Sequence, residues 1–341
     1  MISILVPAFN EERYIERCLS SILAFQVPES ETIEVLVLDG RSTDRTRELV
    51  SSFAKRDPRI SLIDNPGRLQ AQGLNVGIAR AAGEWIMRLD AHAIYPPDYL
   101  RLCYETARRT GADNVGGGCT TLPGDSSFGA KVVQALTTHR FGVGNSGFRT
   151  SAPEGPRDTV PFGFFRRDVF NRAGLFDERL ERAQDYEFNR RIARRGGTVH
   201  FSPTIRSTYY NLPSFLGFLK KQATKQGPFN AYMWYLAPYT FATRHAVTGL
   251  FALFFWSGAV LASTSPLLAA GYACVLLLYL ALALISGIQQ AVRFRDWRLA
   301  LSLPPAFFLF HMVHGTGVLA GLARLALRAS PVQRPPPAHP A

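Results

Sequence analysis

From residue 246 to residue 292 the chain carries not one Asp, Glu, Lys or Arg. That run is about twice the ~20 apolar residues needed to cross a bilayer. The polar break ASTSP at 262–266 divides it, so it predicts two membrane spans, about 246–263 and 267–289, joined by a short loop. A soluble core can hide one such helix but hardly two. RFRDWR at 293–298 follows, basic and therefore expected on the cytoplasmic side. A third apolar stretch, 299–322, contains Pro304, Pro305, His311 and His314, with Arg324, Arg328 and Arg334 beyond it. If it spans, those arginines lie outside, against the positive-inside tendency; if it is re-entrant or interfacial, they stay inside. Both readings remain open. His311 and His314 sit one helical turn apart, and helix–helix hydrogen bonding is favoured for them over a functional role. The segment 327–341 reads as a disordered Pro-rich tail.

The rest of the chain is of a different kind. An overall hydrophobic content of 47% looks like that of a soluble protein, but it averages a charged majority with an apolar C-terminal region. The formal net charge of +12 points to an anionic partner: nucleic acid, anionic lipid or a phosphorylated substrate. No nucleic acid is expected, because the chain has no zinc-finger spacing, no aromatic RNA-binding strand and no long Lys-rich tail. Cys18, Cys103, Cys119 and Cys274 are scattered without a CxxC pair and read as free thiols in a reducing cytoplasm. MISILVPAFN lacks a basic n-region and its apolar run is strand-length, so no signal peptide is expected.

Residues 2–7 read as a buried strand. NEERYIERCLSSILAF then reads as an amphipathic helix with Tyr14, Ile15, Cys18, Leu19 and Ile22 on one stripe. IEVLVLD is a second strand and STDRTRELVSSFAKR a helix with a capping entry in which Asp44 is a cap rather than a ligand. ISLIDN, QAQGLNVGIARAAG and EWIMRLDAH continue the alternation as strand, helix and strand. This order predicts an α/β fold, a mostly parallel sheet covered by helices on both faces. Ligands of such sheets sit beyond the carboxyl ends of the strands, where Asn10, Asp39, Asn65 and Asp90 converge. Further on, NVGGGCT begins a strand, GVGNSGFRTSAPEGPRDTVPFG is a long Gly/Pro/Ser-rich loop, and RRDVFNRAGLFDERLERAQDYEFNRRIARRGG holds two helices around a turn.

The ordered series VPAFNEE, LDGRSTDRT, GLNVGIARAAG and EWIMRLDAH, over roughly the first hundred residues, resembles the GT-A-fold family 2 glycosyltransferases. DAH in place of the usual DxD, together with NSGFR, DTVPFGFFRRDVF and GLFDE, is similar to the ExoA-like subgroup, whose members add sugars to lipid-linked precursors of exopolysaccharides. The resemblance implies a Rossmann-like GT-A catalytic domain over 1–210, with a nucleotide-binding half 1–110 and an acceptor half 111–210. An amphipathic membrane-interface segment over 211–245 and transmembrane helices over 246–326 would follow.

It also implies site residues. Pro7, Ala8, Asn10 and Glu11 would form the nucleotide-facing loop and Asp39 would contact the base; for Asn10 and Glu11 the competing reading is a helix N-terminus with favourable acidic residues. Asp90, with Ala91 beside it, would bind Mg²⁺ or Mn²⁺ next to the pyrophosphate, since a carboxylate ending a buried strand is costly unless solvated, paired or metal-bound. His92 replaces the second carboxylate and is either a ligand, which favours Mn²⁺, or a hydrogen-bond donor to phosphate or water. Asp185 aligns with the acceptor base, Gln184 departs from the usual Glu, and Glu187 is the reserve candidate. A base acting directly implies inversion at the anomeric carbon. Arg68 and Asn75 would touch the nucleotide or frame its pocket. KKQATKQG at 220–227 resembles the QxxRW signature of processive synthases through Gln222 and Lys225, without its Trp; a basic interfacial helix reads it equally well.

The leading expectation is transfer of a hexose from a nucleotide sugar, a UDP-sugar, to a polyprenyl-pyrophosphate-linked acceptor at the cytoplasmic face of the inner (plasma) membrane. Other polysaccharide-assembly proteins would be partners. Tethering to the membrane raises the effective concentration of a lipid-linked acceptor. Two rivals stand beside it. Nucleotidyl transfer wants a Gly-rich, basic phosphate loop where PAFNEE is acidic; a non-catalytic nucleotide-sugar-binding scaffold rests only on His92 and Gln184.

Overall fold

The alternation predicted at the N-terminus is present: β1 (Ile2–Ala8), α1 (Ile15–Leu23), β2 (Ile33–Asp39), α2 (Thr46–Arg56), β3 (Ile60–Asp64), α3 (Gln70–Arg80) and β4 (Trp85–Arg88) follow one another in a computed structural model that describes residues 1–144, 147–150 and 152–332. Side chains sort by the strand's period of two. Ile4 and Val6 of β1 and Val35 and Val37 of β2 join one hydrophobic cluster with α1 and α4, while Leu5, Leu36 and Leu38 join another with α3. Both faces are therefore covered. Burying each such aliphatic side chain stabilises by about 1.5–3 kcal/mol. The helix α1 begins later than its pattern predicts, because residues 10–12 are held by the loop that follows β2 and the entry to α2.

The later elements are β5 (Ala93–Ile94), α4 (Tyr99–Thr110), β6 (Asn114–Leu122), α5 (Phe128–Thr137), α6 (Arg140–Val143), α7 (Gly147–Thr150), β7 (Gly155–Pro156), β8 (Phe164–Arg166), α8 (Asp168–Ala173), α9 (Gln184–Arg194) and β9 (Val199–Tyr210). Sheet order is β3-β2-β1-β4-β8-β6-β9-β5, with β7 on β9. The pairs β1–β2, β1–β4 and β2–β3 are parallel. Beyond β4 the regular strand–helix–strand crossovers stop and antiparallel pairing takes over: β8 opposes β4 and β6, and β5 and β7 oppose β9. The sheet as a whole is thus mixed, and its parallel half is the part that the sequence pattern specified. In β6 the backbone of β9 lies so close to Gly117 that a Cβ there would sit 2.0 Å from the Ile205 carbonyl oxygen. Two residues of the NSGFR loop, 145 and 146, lie outside the described residues, as does residue 151.

The chain divides into two units. One comprises Met1–Thr120 and Gly147–Tyr210; the other comprises Thr121–Ser146 and Asn211–Ala341. The first is therefore discontinuous in sequence, where the sequence reading drew one boundary at residue 210. In the second unit α10 (Phe215–Lys221) runs into a π-helical turn, Gln222–Gln226, and on into α11 (Gly227–Leu236), so the segment 211–245 is largely helical. Then come α12 (Thr243–Ala262), α13 (Pro266–Phe294) and α14 (Arg298–Ala326), each long and apolar enough to cross a membrane by length and composition. The third apolar stretch is one continuous helix in spite of Pro304 and Pro305. Leu250, Trp256, Val260, Leu267 and Leu277 of α12 and α13 are exposed in the isolated chain, as befits lipid-facing surface.

Small residues let α14 approach its neighbours. A Cβ on Gly315 would lie 2.0 Å from the Thr248 carbonyl oxygen, and one on Gly321 would lie 2.8 Å from that of Pro228. His311 Nδ1 is 2.8 Å from the Tyr279 hydroxyl, and His314 Nδ1 is 2.8 Å from that of Thr248, so both histidines hydrogen-bond across helices. The helix α5 belongs here as well: Val132, Val133 and Leu136 pack with Leu299, Leu303 and Phe307. Lys131 of α5 pairs at 2.7 Å with Asp296 in the turn between α13 and α14. Hydrogen bonds from Arg298 and Lys131 hold that carboxyl well below the usual range. The Pro-rich tail lies, from residue 333 on, outside the described residues.

Candidate active site

The parallel register brings the strand ends together: Ala8 stands beside Asp39, and Asp39 beside Asp64. The loops after β1 and β2 are joined by reciprocal hydrogen bonds. Asn10, at a left-handed φ of 57°, donates its N–H to Ser42 Oγ at 3.0 Å and accepts from Thr43 N at 2.8 Å. Glu11 N donates to Thr46 Oγ1, and Glu12 N to Asp44 Oδ2 at 3.1 Å. Asp44 also accepts from Thr46 N at the entry to α2, so it serves as a turn staple. Pro7 and Ala8 end β1, and the Ala8 carbonyl accepts from Gly40 N.

Asp39 is fully buried, with Oδ2 2.5 Å from Arg47 Nη1 and 3.2 Å from Ser42 N. Its hydrogen bond, despite burial, holds the Arg47 guanidinium above its ordinary pKa. Arg68 has a left-handed φ of 63° and its backbone packs on Gly40. The Arg68 side chain is exposed and makes no hydrogen bond or ion pair with the described residues. Asn75 is placed otherwise: its amide donates to Phe176 O and Glu178 Oε1 and accepts from Phe176 N. It pins the loop ahead of α9 and thereby frames the site from behind.

Asp90 follows β4 by two residues. Its backbone is fixed by Tyr95, whose hydroxyl accepts from Asp90 N at 2.9 Å and donates to Asp90 O. Ala91 is buried next to it. The Asp90 carboxylate is 17% exposed, and its Oδ1 accepts from Arg88 Nη2 at 2.7 Å and from Gln70 Nε2 at 3.1 Å. Among the described residues Oδ2 accepts nothing. Gln70 is itself set by Gln184, whose amide donates to Gln70 Oε1 at 2.6 Å.

Gln184 and Asp185 open α9 behind Ala183, which adopts a left-handed φ of 64° that costs an L-residue about 1–2 kcal/mol. The turn sends neighbouring side chains opposite ways. Gln184 is buried, whereas the Asp185 carboxylate is 40% exposed, with Oδ2 3.8 Å from Arg88 Nη1. Arg88 thus faces both Asp90 and Asp185. Burial works against its charge, but Asp90 first and Asp185 second outweigh it and hold its pKa above the ordinary guanidinium value. Glu187, the reserve base, is buried and paired with Arg191 at 2.7 Å. It faces its own helix rather than Asp90.

Sequence reasoning passed over Arg88, Gln70 and Tyr95. A signal for Arg88 was present: an arginine in an otherwise apolar buried strand, two residues before an aspartate, must share a face with it.

The donor set suits a hard divalent cation held by one protein carboxylate, with phosphate oxygens and water completing the shell. Asp90 offers Oδ2. His92 Nδ1 is engaged by Glu11 Oε1 at 3.0 Å, and its ring meets Tyr209 edge-on at 5.2 Å. Among the described residues no group of three or more His, Cys, Asp or Glu side chains forms a metal-ligand cluster.

Comparison with known proteins adds the following. The profile of Glycosyl transferase family 2 matches residues 3–174. A dolichyl N-acetyl-α-D-glucosaminyl phosphate 3-β-D-2,3-diacetamido-2,3-dideoxy-β-D-glucuronosyltransferase of Methanococcus voltae is 28% identical over 344 residues, covering 95% of this chain and 97% of that protein. The succinoglycan biosynthesis protein ExoA of Rhizobium meliloti (strain 1021) is 31% identical over 209 residues, 61% of this chain and 62% of that protein. Among solved structures, the mannosyltransferase PcManGT of Pyrobaculum calidifontis, in complex with GDP-Man and Mn²⁺, aligns with a TM-score of 0.57 at 20% identity. It covers 96% of this chain and 87% of that one, a likeness of fold.

Proposed function

This chain belongs to glycosyl transferase family 2, and from that membership we propose that it moves a hexose from a nucleotide sugar, a UDP-sugar, to a lipid-linked acceptor, with inversion. The observation that carries the reading is the meeting of Asp90 and Asp185 at one guanidinium, Arg88. A carboxylate suited to the leaving-group side and a carboxylate suited to the acceptor side then belong to a single site.

In this reading Asp185 takes the proton of an acceptor hydroxyl as its oxygen bonds to the anomeric carbon. The bond from that carbon to the phosphate oxygen breaks, and the nucleoside diphosphate departs. Direct displacement inverts the anomeric centre, so an α-linked donor gives a β-linkage. Asp90, with His92 as the second candidate ligand, would hold a divalent cation, whose positive charge would offset that of the departing diphosphate. The exposed Arg68 guanidinium is a further cation for the phosphates, and the paired loops carrying Pro7, Ala8, Asn10, Glu11 and Asp39 would border the base and ribose. Asn75 acts through the loop it pins.

A lipid-linked acceptor is supported by the three apolar helices and by the activity for which the Methanococcus relative is named, transfer to a dolichyl phosphate sugar. The ExoA relative supports a role in polysaccharide or glycoconjugate biosynthesis, in which other assembly proteins would be partners. We take the catalytic residues to face the cytoplasm from an inner membrane. If α12 and α13 both span, the turn between α13 and α14 returns to the side from which the chain enters α12; that turn, RFRDWR, is basic, and basic turns favour the cytoplasm.

The test is release of UDP from a panel of UDP-sugars in the presence of polyprenyl-linked acceptors. Asp185→Asn is expected to lower turnover by about 10²–10⁴-fold while UDP still binds. Equal turnover in wild type and variant would remove Asp185 from the role of base.

A further inference from the structure

A guanidinium buried between two functional carboxylates does more than neutralise them. Arg88 is 5% exposed, and its Nε has no hydrogen-bond partner among the described residues. A buried cation with an unpaired N–H is costly, so its compensation must come from its two Nη groups. These point to different residues. Nη2 holds Asp90 Oδ1 at hydrogen-bonding distance, 2.7 Å, and Nη1 faces Asp185 Oδ2 at 3.8 Å. The backbone of Arg88 is fixed as well, through its N–H to Gly163 O at 2.9 Å, so the fork cannot slide along the strand.

Asp90 needs little help: Gln70 also holds Oδ1, and Tyr95 holds its backbone. Asp185 is different. Tyr186 N holds its Oδ1 at 2.8 Å, and among the described residues the partner of Oδ2 across the site is Arg88.

We propose that Arg88 is a positioning residue that fixes Asp185 relative to Asp90 and so sets the separation between the leaving-group and acceptor sides of the site. The proposal rests on the reading of Asp185 as the base. A planar fork can face two carboxylates from one strand position, whereas a lysine presents a single centre. Arg88→Lys therefore keeps Asp90 paired and releases Asp185.

Full-length protein in detergent decides this with three measurements. Binding of UDP with Mn²⁺, followed by the Mn²⁺ resonance, is expected to match wild type in Arg88→Lys. Turnover is expected to fall by ~10²-fold, the scale of a misplacement of about 1 Å, with the donor KM unchanged. In an Asp185→Asn background Arg88→Lys is expected to cost nothing more, because it acts through Asp185. Wild-type turnover in Arg88→Lys, or a full additional loss in the double variant, overturns the proposal. Should wild type bind UDP with Mn²⁺ yet transfer no sugar, it is the reading of function that fails. Hydrogen exchange at 183–186 then decides Arg88: faster exchange in Arg88→Lys supports the positioning role, and unchanged exchange overturns it.

Discussion

The two units differ in the polar groups they bury. In the sheet-containing unit they include paired charges, Asp39 with Arg47, Arg88 with Asp90 and Glu187 with Arg191, beside neutral groups such as Asn75 and Gln184. Along the long helices of the other they are neutral: His311 with Tyr279, His314 with Thr248, Gln290 with Thr138. Its buried ion pair, Asp296 with Lys131, lies in the turn between α13 and α14 rather than along a helix. The cause is the surrounding solvent. A strand end opens onto water that can solvate a charge until a substrate arrives, whereas a helix in lipid has no such reservoir. Charge near β4 is therefore available for chemistry, and the neutral pairs of α12 to α14 hold helices together.

Three substitutions probe this contrast. The largest effect is expected from Gly315→Val, which places side-chain atoms against the Thr248 carbonyl oxygen. It should destabilise the helical unit by more than about 4 kcal/mol, seen as loss of a cooperative melt in detergent; a normal melt would show that close helix approach is dispensable. Next is Asp90→Ala, expected to lower Mn²⁺-supported turnover by about 10²–10³-fold with little change in melting. Unaltered metal dependence would mean that paired charge at β4 has no chemical role. The smallest is His314→Leu, which removes the bonds to Thr248 and Asn230. It should cost about 1 kcal/mol and leave turnover untouched. A collapse of turnover in a well-folded His314→Leu would break the contrast, since chemistry would then reside in both units.

How far the sequence carried the reading differs by element. Strand ends were readable because buried β-branched runs stop at Asn10, Asp39 and Asp90, and local pattern is enough to see that. Asp185 became the candidate base through resemblance, since nothing near it distinguishes a base from a helix cap. In the relay from Gln184 through Gln70 to Asp90 the first step joins residues 114 positions apart, and no local period encodes such a contact. The same holds for α5. Its apolar stripe looks like that of any core helix, and its partners on α10 and α14 assign it to the helical unit. The third apolar stretch was ambiguous because, if it spans, the arginines beyond it lie outside, against the positive-inside tendency. It forms one helix through Pro304 and Pro305, half-buried among α11, α12 and α13 and long and apolar enough to cross a membrane.

The membership of α5 has a consequence for the order of events during synthesis. Its apolar face waits for α14, whose first turn is made more than 150 residues later. At translation speeds of roughly 5–20 residues per second, that is a delay on the order of ten seconds. Until then Val132, Val133 and Leu136 lack Leu299, Leu303 and Phe307, and a chain released after Tyr210 supplies neither these nor Phe218 and Leu219 of α10. A shortened form ending there should emerge sticky and chaperone-bound rather than as a free enzyme, even though every residue of its active site is present.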